Sequence, residues 1–225
     1  MKEMNKEISN PQSAERPITP GMAGRRKLIQ LAAGLIAGGT FSGLGFVTPS
    51  AAQPAGSRRI LIAYYSRTGT TREVARQIQE TVGGTLHELR TVHRYPDEYR
   101  PTTQQAKREL EEGFRPQLAT PVDAMETYDT VFIGFPNWWG TMPMALFSFL
   151  EQYPLDGKTV IPFCTHEGSS FGRSLDDLRA NCGSARLLDG LALRGGGVER
   201  VAREAAKKEI GVWLRGLGLG AGAAA

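Results

Sequence analysis

The chain has 225 residues, 40% of them hydrophobic, and 27 Lys and Arg against 23 Asp and Glu give a formal charge of +4. Lys2, Lys6, Arg16, Arg25, Arg26 and Lys27 fall in the first 52 residues with only Glu3, Glu7 and Glu15, so the remainder carries a formal +1. That remainder of about 173 residues is long enough for one domain with a sizeable core and too short for two, and without a Lys/Arg run interleaved with aromatics it offers nothing to nucleic acid.

Residues 1–52 begin as a polar leader, continue through Arg25-Arg26-Lys27 into a Gly/Ala-rich apolar stretch, Leu31 to Val47, and end at Ser50-Ala51-Ala52. Small residues at the −3 and −1 positions before Gln53 complete the pattern of a cleaved export signal, and the paired arginines resemble a twin-arginine signal. Seventeen residues with five glycines fall short of the roughly 20 strongly apolar residues of a spanning helix. The expected location is therefore the periplasm or another exported compartment, with no stable membrane insertion after cleavage.

Residues 53–58 read as a flexible leader. Arg58 to Tyr65 reads as the first strand, because Ile60 to Tyr65 is a near-continuous apolar run of the kind found in a buried parallel strand, and Thr71 to Thr81 has helical periodicity. The loop between them is Ser66-Arg67-Thr68-Gly69-Thr70-Thr71. Free N–H groups and the positive end of the helix dipole favour an anion there, and the hydroxyls add donors. The loop lacks the Gly-Lys-Ser/Thr of a nucleotide-triphosphate site and has one glycine where a dinucleotide fingerprint has three. A phosphate monoester fits it; an ordinary N-cap cluster is the other reading.

Thr85 to Val92 is the second expected strand, and residues 93–128 form a long connection with a charged helix, Thr102 to Glu112, read as a solvated face. Val131 to Phe135, Thr159 to Cys164 and Arg186 to Ala192 are strands three to five, separated by helices at Met144 to Gln152 and Phe171 to Arg179. A final amphipathic helix spans Val198 to Arg215, and Gly216 to Ala225 is expected to be a disordered tail. Alternating strands and helices imply a doubly wound parallel sheet with ligands at the carboxyl ends of the strands. The order 2-1-3-4-5 brings the loops after strands one, three and four together.

The loop after strand three holds Pro136-Asn137-Trp138-Trp139-Gly140-Thr141, whose adjacent tryptophans cannot both face one core; either alone also suits packing on the next helix. The loop after strand four holds Thr165-His166-Glu167-Gly168-Ser169 and, further on, Gly172. Its small residues let backbone N–H groups approach a ligand, and His166 is either a donor to it or a structural histidine. Cys164 and Cys182 sit at opposite ends of the sheet in this reading, so no disulfide is expected, and no metal-ligand spacing is present.

Ser66-Arg-Thr-Gly-Thr-Thr71 resembles the phosphate loop of flavodoxins, and Tyr128-Asp129, Gly134-Phe-Pro-Asn-Trp-Trp-Gly140, Pro143, Phe149-Leu-Glu151, Gly157-Lys158 and Pro162-Phe-Cys-Thr-His166, then Gly168-Ser169, extend the likeness to a bacterial flavodoxin-like family over residues 59–192. The resemblance implies FMN as cofactor. Ser66, Arg67, Thr68, Gly69, Thr70 and Thr71 would then hold its phosphate, Pro136 to Thr141 would line the flavin, and Thr165 to Gly172 would contact its pyrimidine side. Glu167 departs from the glycine usual there, and a carboxylate near the ring would lower its potential. The resemblance implies electron transfer, and the expected export makes a partner protein or a membrane quinol the simpler donor; the alternatives are an FMN-dependent NAD(P)H or quinone oxidoreductase and a binding module without redox activity.

Overall fold

The computed structural model describes residues 58–220. The expected signal peptide at 1–52, residues 53–57 of the leader and residues 221–225 of the tail lie outside the described residues. No helix among the described residues is long and apolar enough to cross a membrane.

Strand β1 (Ile60–Tyr64) leads into helix α1 (Thr70–Val82), then β2 (Thr85–Glu88), α2 (Tyr99–Glu112), β3 (Thr130–Pro136), α3 (Met144–Gln152), β4 (Thr159–His166) and α4 (Ser174–Asn181). Two short strands, β5 (Arg186–Leu187) and β6 (Leu191–Arg194), are followed by α5 (Val198–Val201) and α6 (Glu204–Gly216). All strand pairs are parallel, in the order β2-β1-β3-β4-β5, with β6 also on β4.

The period-2 alternation of side chains divides each central strand between two cores. Leu61, Ala63, Val131, Ile133, Phe135 and Val160 face α2, α3 and α4, whereas Ile60, Ile62, Phe132, Ile161 and Phe163 face α1, α5 and α6. Gly134 makes room for one of these side chains, because a Cβ there would lie 2.0 Å from the Phe163 ring. Both cysteines are free and buried. Burial pushes the thiol of Cys164 up to about 12 and that of Cys182 up to about 11, so neither supplies a thiolate nucleophile near neutral pH.

Three expectations need correction. The single fifth strand is two: β4 advances three residues, Val160 to Phe163, while its neighbour advances four, Leu187 to Leu191. The extra residue makes a bulge beside Pro162, which has no N–H to give the ladder. The single final helix is also two, because the Gln77 side-chain amide donates to the Val201 carbonyl at 2.9 Å; Arg203 is extended before α6 begins. Finally, residues 216–220 of the expected disordered tail are structured. Leu217 and Leu219 pack on the core, and Arg58 Nη1 donates to Gly218 O at 3.2 Å.

Candidate functional site

The carboxyl ends of β1, β3 and β4 open into a cavity of about 620 Å3. At one end, Tyr65 N–H donates to Gly134 O at 2.9 Å, and the chain then turns through Ser66 to Gly69 into α1. Gly69 is left-handed, with φ 89°, and caps α1 without a side-chain hydrogen bond. The first turn of α1 therefore keeps its anion-attracting character. Ser66 Oγ accepts from Arg72 N at 3.2 Å, and the Thr68 and Thr70 hydroxyls lie 3.3 Å apart at the mouth of the turn. Arg67 Nη2 donates to Asp97 O at 2.6 Å, while its Nε is buried without a partner. Thr71 lines the cavity, but its hydroxyl is engaged with that of Thr165 at 2.9 Å, bracing α1 against β4.

The loop after β3 is a two-residue hairpin. Trp138 and Thr141 exchange backbone hydrogen bonds at 2.8 and 3.0 Å around Trp139 (φ 53°) and Gly140 (φ 79°), the positive-φ pair of a type I′ turn. A glycine tolerates this conformation; a tryptophan is strained by it. The two indoles part company accordingly. Trp138 packs edge-on against Tyr65 and Tyr95, with centroids 5.4 and 5.2 Å away. Trp139 stands 53% exposed, fixed by an Nε1–H donated to Thr103 O at 3.0 Å and by Lys107 Nζ at 5.5 Å from its ring. Below them the buried Tyr95 hydroxyl donates to the Glu109 carboxylate, which also accepts from Gln105. Burial above all, and then Glu109, hold the Tyr65 and Tyr95 phenols protonated well above their usual range.

Asn137 joins this hairpin to the loop after β4: its Nδ2 donates to Ser170 O at 2.8 Å, and its Oδ1 accepts from Gly140 N at 3.1 Å. His166 Nδ1 accepts from Gly168 N at 3.0 Å, so a neutral ring carries its proton on Nε2. The exposed Glu167 has Oε1 3.2 Å from the Cβ position of Gly195.

Of the residues expected to bind the ligand, Ser66, Arg67, Thr68, Thr70, Thr71, Pro136, Asn137, Trp138, Trp139, Thr165, His166, Glu167, Gly168 and Ser169 line the cavity. Gly69, Gly140, Thr141 and Gly172 do not; they hold its walls. The Thr141 hydroxyl donates to Asp177, Arg173 N donates to Gly140 O at 2.8 Å, and a Cβ on Gly172 would lie 2.2 Å from Gly140 O.

Sequence reasoning missed Tyr99, Thr102, Thr103, Ala106 and Gly195, which also line the cavity. The first four form one stripe of α2 at helical spacing, and three of them are small or hydroxylic. A search for large apolar residues passes over such a stripe.

The family model described as flavodoxin matches residues 59–209. A protein from Bacteroides eggerthii DSM 20697, assigned as a flavoprotein, is 31% identical; the alignment covers 70% of this chain and 96% of that one, with a TM-score of 0.58. A similarly assigned protein from Bacteroides uniformis ATCC 8492 is 31% identical over 68% of this chain and 97% of its own, also at 0.58. A flavoprotein from Lactobacillus acidophilus NCFM, crystallised with FMN, shares the fold at 22% identity, 65% and 99% coverage and a TM-score of 0.52. No curated protein matches the chain. With two thirds of its residues under that model and two structural relatives of this similarity, the chain belongs to the flavodoxin family.

Proposed function

We propose that this protein binds FMN noncovalently and acts in electron transfer after export by the twin-arginine route. The observation that carries the reading is the end of the cavity at α1: a helix start whose N-cap Gly69 makes no side-chain bond and where Ser66 Oγ takes up Arg72 N–H, a left-handed glycine, the Thr68–Thr70 hydroxyl pair and a buried Arg67 Nε with no partner. Each of these suits one phosphate group, and none requires a second.

Ser66 to Thr70 would hold the phosphate, with Arg67 the one Lys or Arg among the described residues that line the cavity. The Trp138–Trp139 hairpin and the His166–Ser169 loop would flank the ring, with His166 offering Nε2–H as a donor. When bound, FMN supplies one- and two-electron chemistry; the protein sets its position and potential. Trp138, Tyr95 and Tyr65 exclude water from the inner wall.

Export rests on Arg25-Arg26 and Ser50-Ala51-Ala52. Outside the cytoplasmic nicotinamide pool, a partner protein or a membrane quinol is the simpler electron donor. Mass spectrometry of the ligand released by denaturing purified protein is expected to show FMN; FAD or no flavin overturns the cofactor assignment. Changing Arg25 and Arg26 to Lys is expected to retain the protein in the cytoplasm, and undiminished export of that variant would reject the route.

A further inference from the structure

The inner wall of the cavity carries chemistry that holding a ring in place does not use. Trp138 lines the cavity, and its ring meets those of Tyr65 and Tyr95 edge-on at 5.4 and 5.2 Å, while the two tyrosines stand 5.9 Å apart. Oxidisable rings are thus in mutual contact, and one of them reaches the ligand space. The indole N–H groups of Trp139 and Trp213 each donate to a backbone carbonyl at 3.0 Å; that of Trp138 has no acceptor among the described residues. If the Trp138 indole loses an electron, no protein base is at hand to take its proton, and the positive charge is free to pass to a neighbour.

The two neighbours differ. The Tyr65 hydroxyl makes no hydrogen bond among the described residues. The Tyr95 hydroxyl donates to Glu109 Oε2, and both residues are buried, at 9% and 7% exposure. Gln105 Nε2, one turn earlier on α2, donates to Glu109 Oε1 at 2.7 Å, so the carboxylate is fixed with its other oxygen on the phenol. In the protein interior this negative charge favours positive charge on the ring beside it, and a phenol gives up an electron most readily when its proton has somewhere to go. A buried carboxylate is a costly way to pin a helix, because its desolvation must be offset. Here it brings a proton acceptor to a ring that does not itself line the cavity.

We propose that Trp138 and Tyr95 form a relay that carries a one-electron oxidation from the cavity inward, leaving it on Tyr95 while Glu109 takes the phenolic proton. The oxidant is a one-electron acceptor in the cavity, the class to which a light-excited oxidised flavin belongs. One electron passes from the Trp138 indole to that acceptor. Tyr95 then returns one electron to the indole, and its proton moves along the existing hydrogen bond to Glu109 Oε2. The products are an acceptor reduced by one electron, a neutral tyrosyl radical and a protonated carboxyl. One electron coming back restores phenol and carboxylate, so the relay is an internal reductant for the cavity. The proposal rests on the FMN reading for its natural oxidant alone.

The test is pulse radiolysis of the purified protein, before and after FMN is added, with azide radicals that oxidise tryptophan selectively. In a Trp139→Phe/Trp213→Phe background Trp138 is the sole tryptophan, and tryptophanyl and tyrosyl radicals are followed by their separate absorption bands. Decay of the Trp138 radical is expected to match growth of a tyrosyl radical, at a rate independent of protein concentration and slower in D2O. Tyr95→Phe is expected to abolish that growth. Glu109→Gln, which accepts the hydrogen bond but not the proton, is expected to slow it about tenfold, the rate equivalent of one charge-assisted hydrogen bond; it keeps the ring cluster and decides the matter if Tyr95→Phe fails to fold. Tyrosyl growth that survives Tyr95→Phe would end the relay elsewhere and overturn the proposal. So would a Trp138 radical that decays with no tyrosyl signal, or a rate that Glu109→Gln leaves unchanged. Protein that takes up no FMN and still passes the oxidation from Trp138 to Tyr95 would sink the cofactor reading while leaving the relay standing.

Discussion

The two ends of the cavity are built in opposite ways. The end at α1 comes from six consecutive residues, Ser66 to Thr71, shaped by one left-handed glycine and a helix start. The aromatic end is assembled from three distant segments, α2, the 137–141 hairpin and the 166–172 loop, tied by bonds such as Trp139 to Thr103 and Asn137 to Ser170. A local site survives small changes elsewhere in the fold; an assembled one depends on each tie.

The strongest way to break this contrast is at the glycines. Gly172→Ala puts a Cβ at φ 55° and 2.2 Å from backbone oxygen Gly140 O, which cannot yield. A loss of about 2 to 4 kcal/mol is expected in urea denaturation, with FMN and riboflavin weakened alike. Gly69→Ala meets side chains rather than backbone, Val198 at 3.2 Å and Arg72 Nη1 at 3.8 Å. It is expected to cost about 1 to 2 kcal/mol for its backbone angle and to weaken FMN more than riboflavin.

Tyr95→Phe keeps the aromatic cluster and strands the buried Glu109 oxygen that accepts its proton. A loss of about 1 to 3 kcal/mol is expected, with faster amide exchange in α2 as the sign that the wall has loosened. Unchanged exchange would mean that other contacts hold α2.

Glu167→Gly sharpens the aromatic end electrically. Its carboxylate lines the cavity from an exposed position, so redox titration of the loaded variant is expected to show a rise of less than about 30 mV in the two-electron midpoint, one tenfold step in equilibrium constant. A fall would show the side chain acting through another partner.

The smallest effect lies outside the cavity, at His87 on the edge strand β2. Its Nε2 is buried without a partner, and burial lowers its pKa. The unfolded chain then binds the proton more readily, so His87 costs stability as pH falls below its unfolded value of about 6.5. His87→Gln is expected to flatten that part of the pH–stability curve.

The contrast between the ends also decides what could be read from the sequence. The apolar runs, the strand order and the α1 loop were legible because each is a local pattern. The α2 wall was not, because Tyr99, Thr102, Thr103 and Ala106 become a site only when Tyr95, Glu109 and Trp139 dock the helix. The breaks at Pro162 and at Val201 were hidden for the same reason: one comes from a proline facing its neighbour across the sheet, the other from a glutamine 124 positions away in sequence. Glycines 140 and 172 were noticed for the right loops, but they serve each other and leave the ligand surface to their neighbours.

The most direct measurement is the affinity of apo protein for FMN against riboflavin, in the wild type and in the Thr68→Ala/Thr70→Ala variant. The account predicts that the wild type strongly prefers FMN and that the variant loses about 1 to 3 kcal/mol of that preference per hydroxyl removed, with riboflavin binding unchanged. Equal affinity of the wild type for the two flavins, or a variant that weakens both alike, would contradict the assignment of this loop to the phosphate.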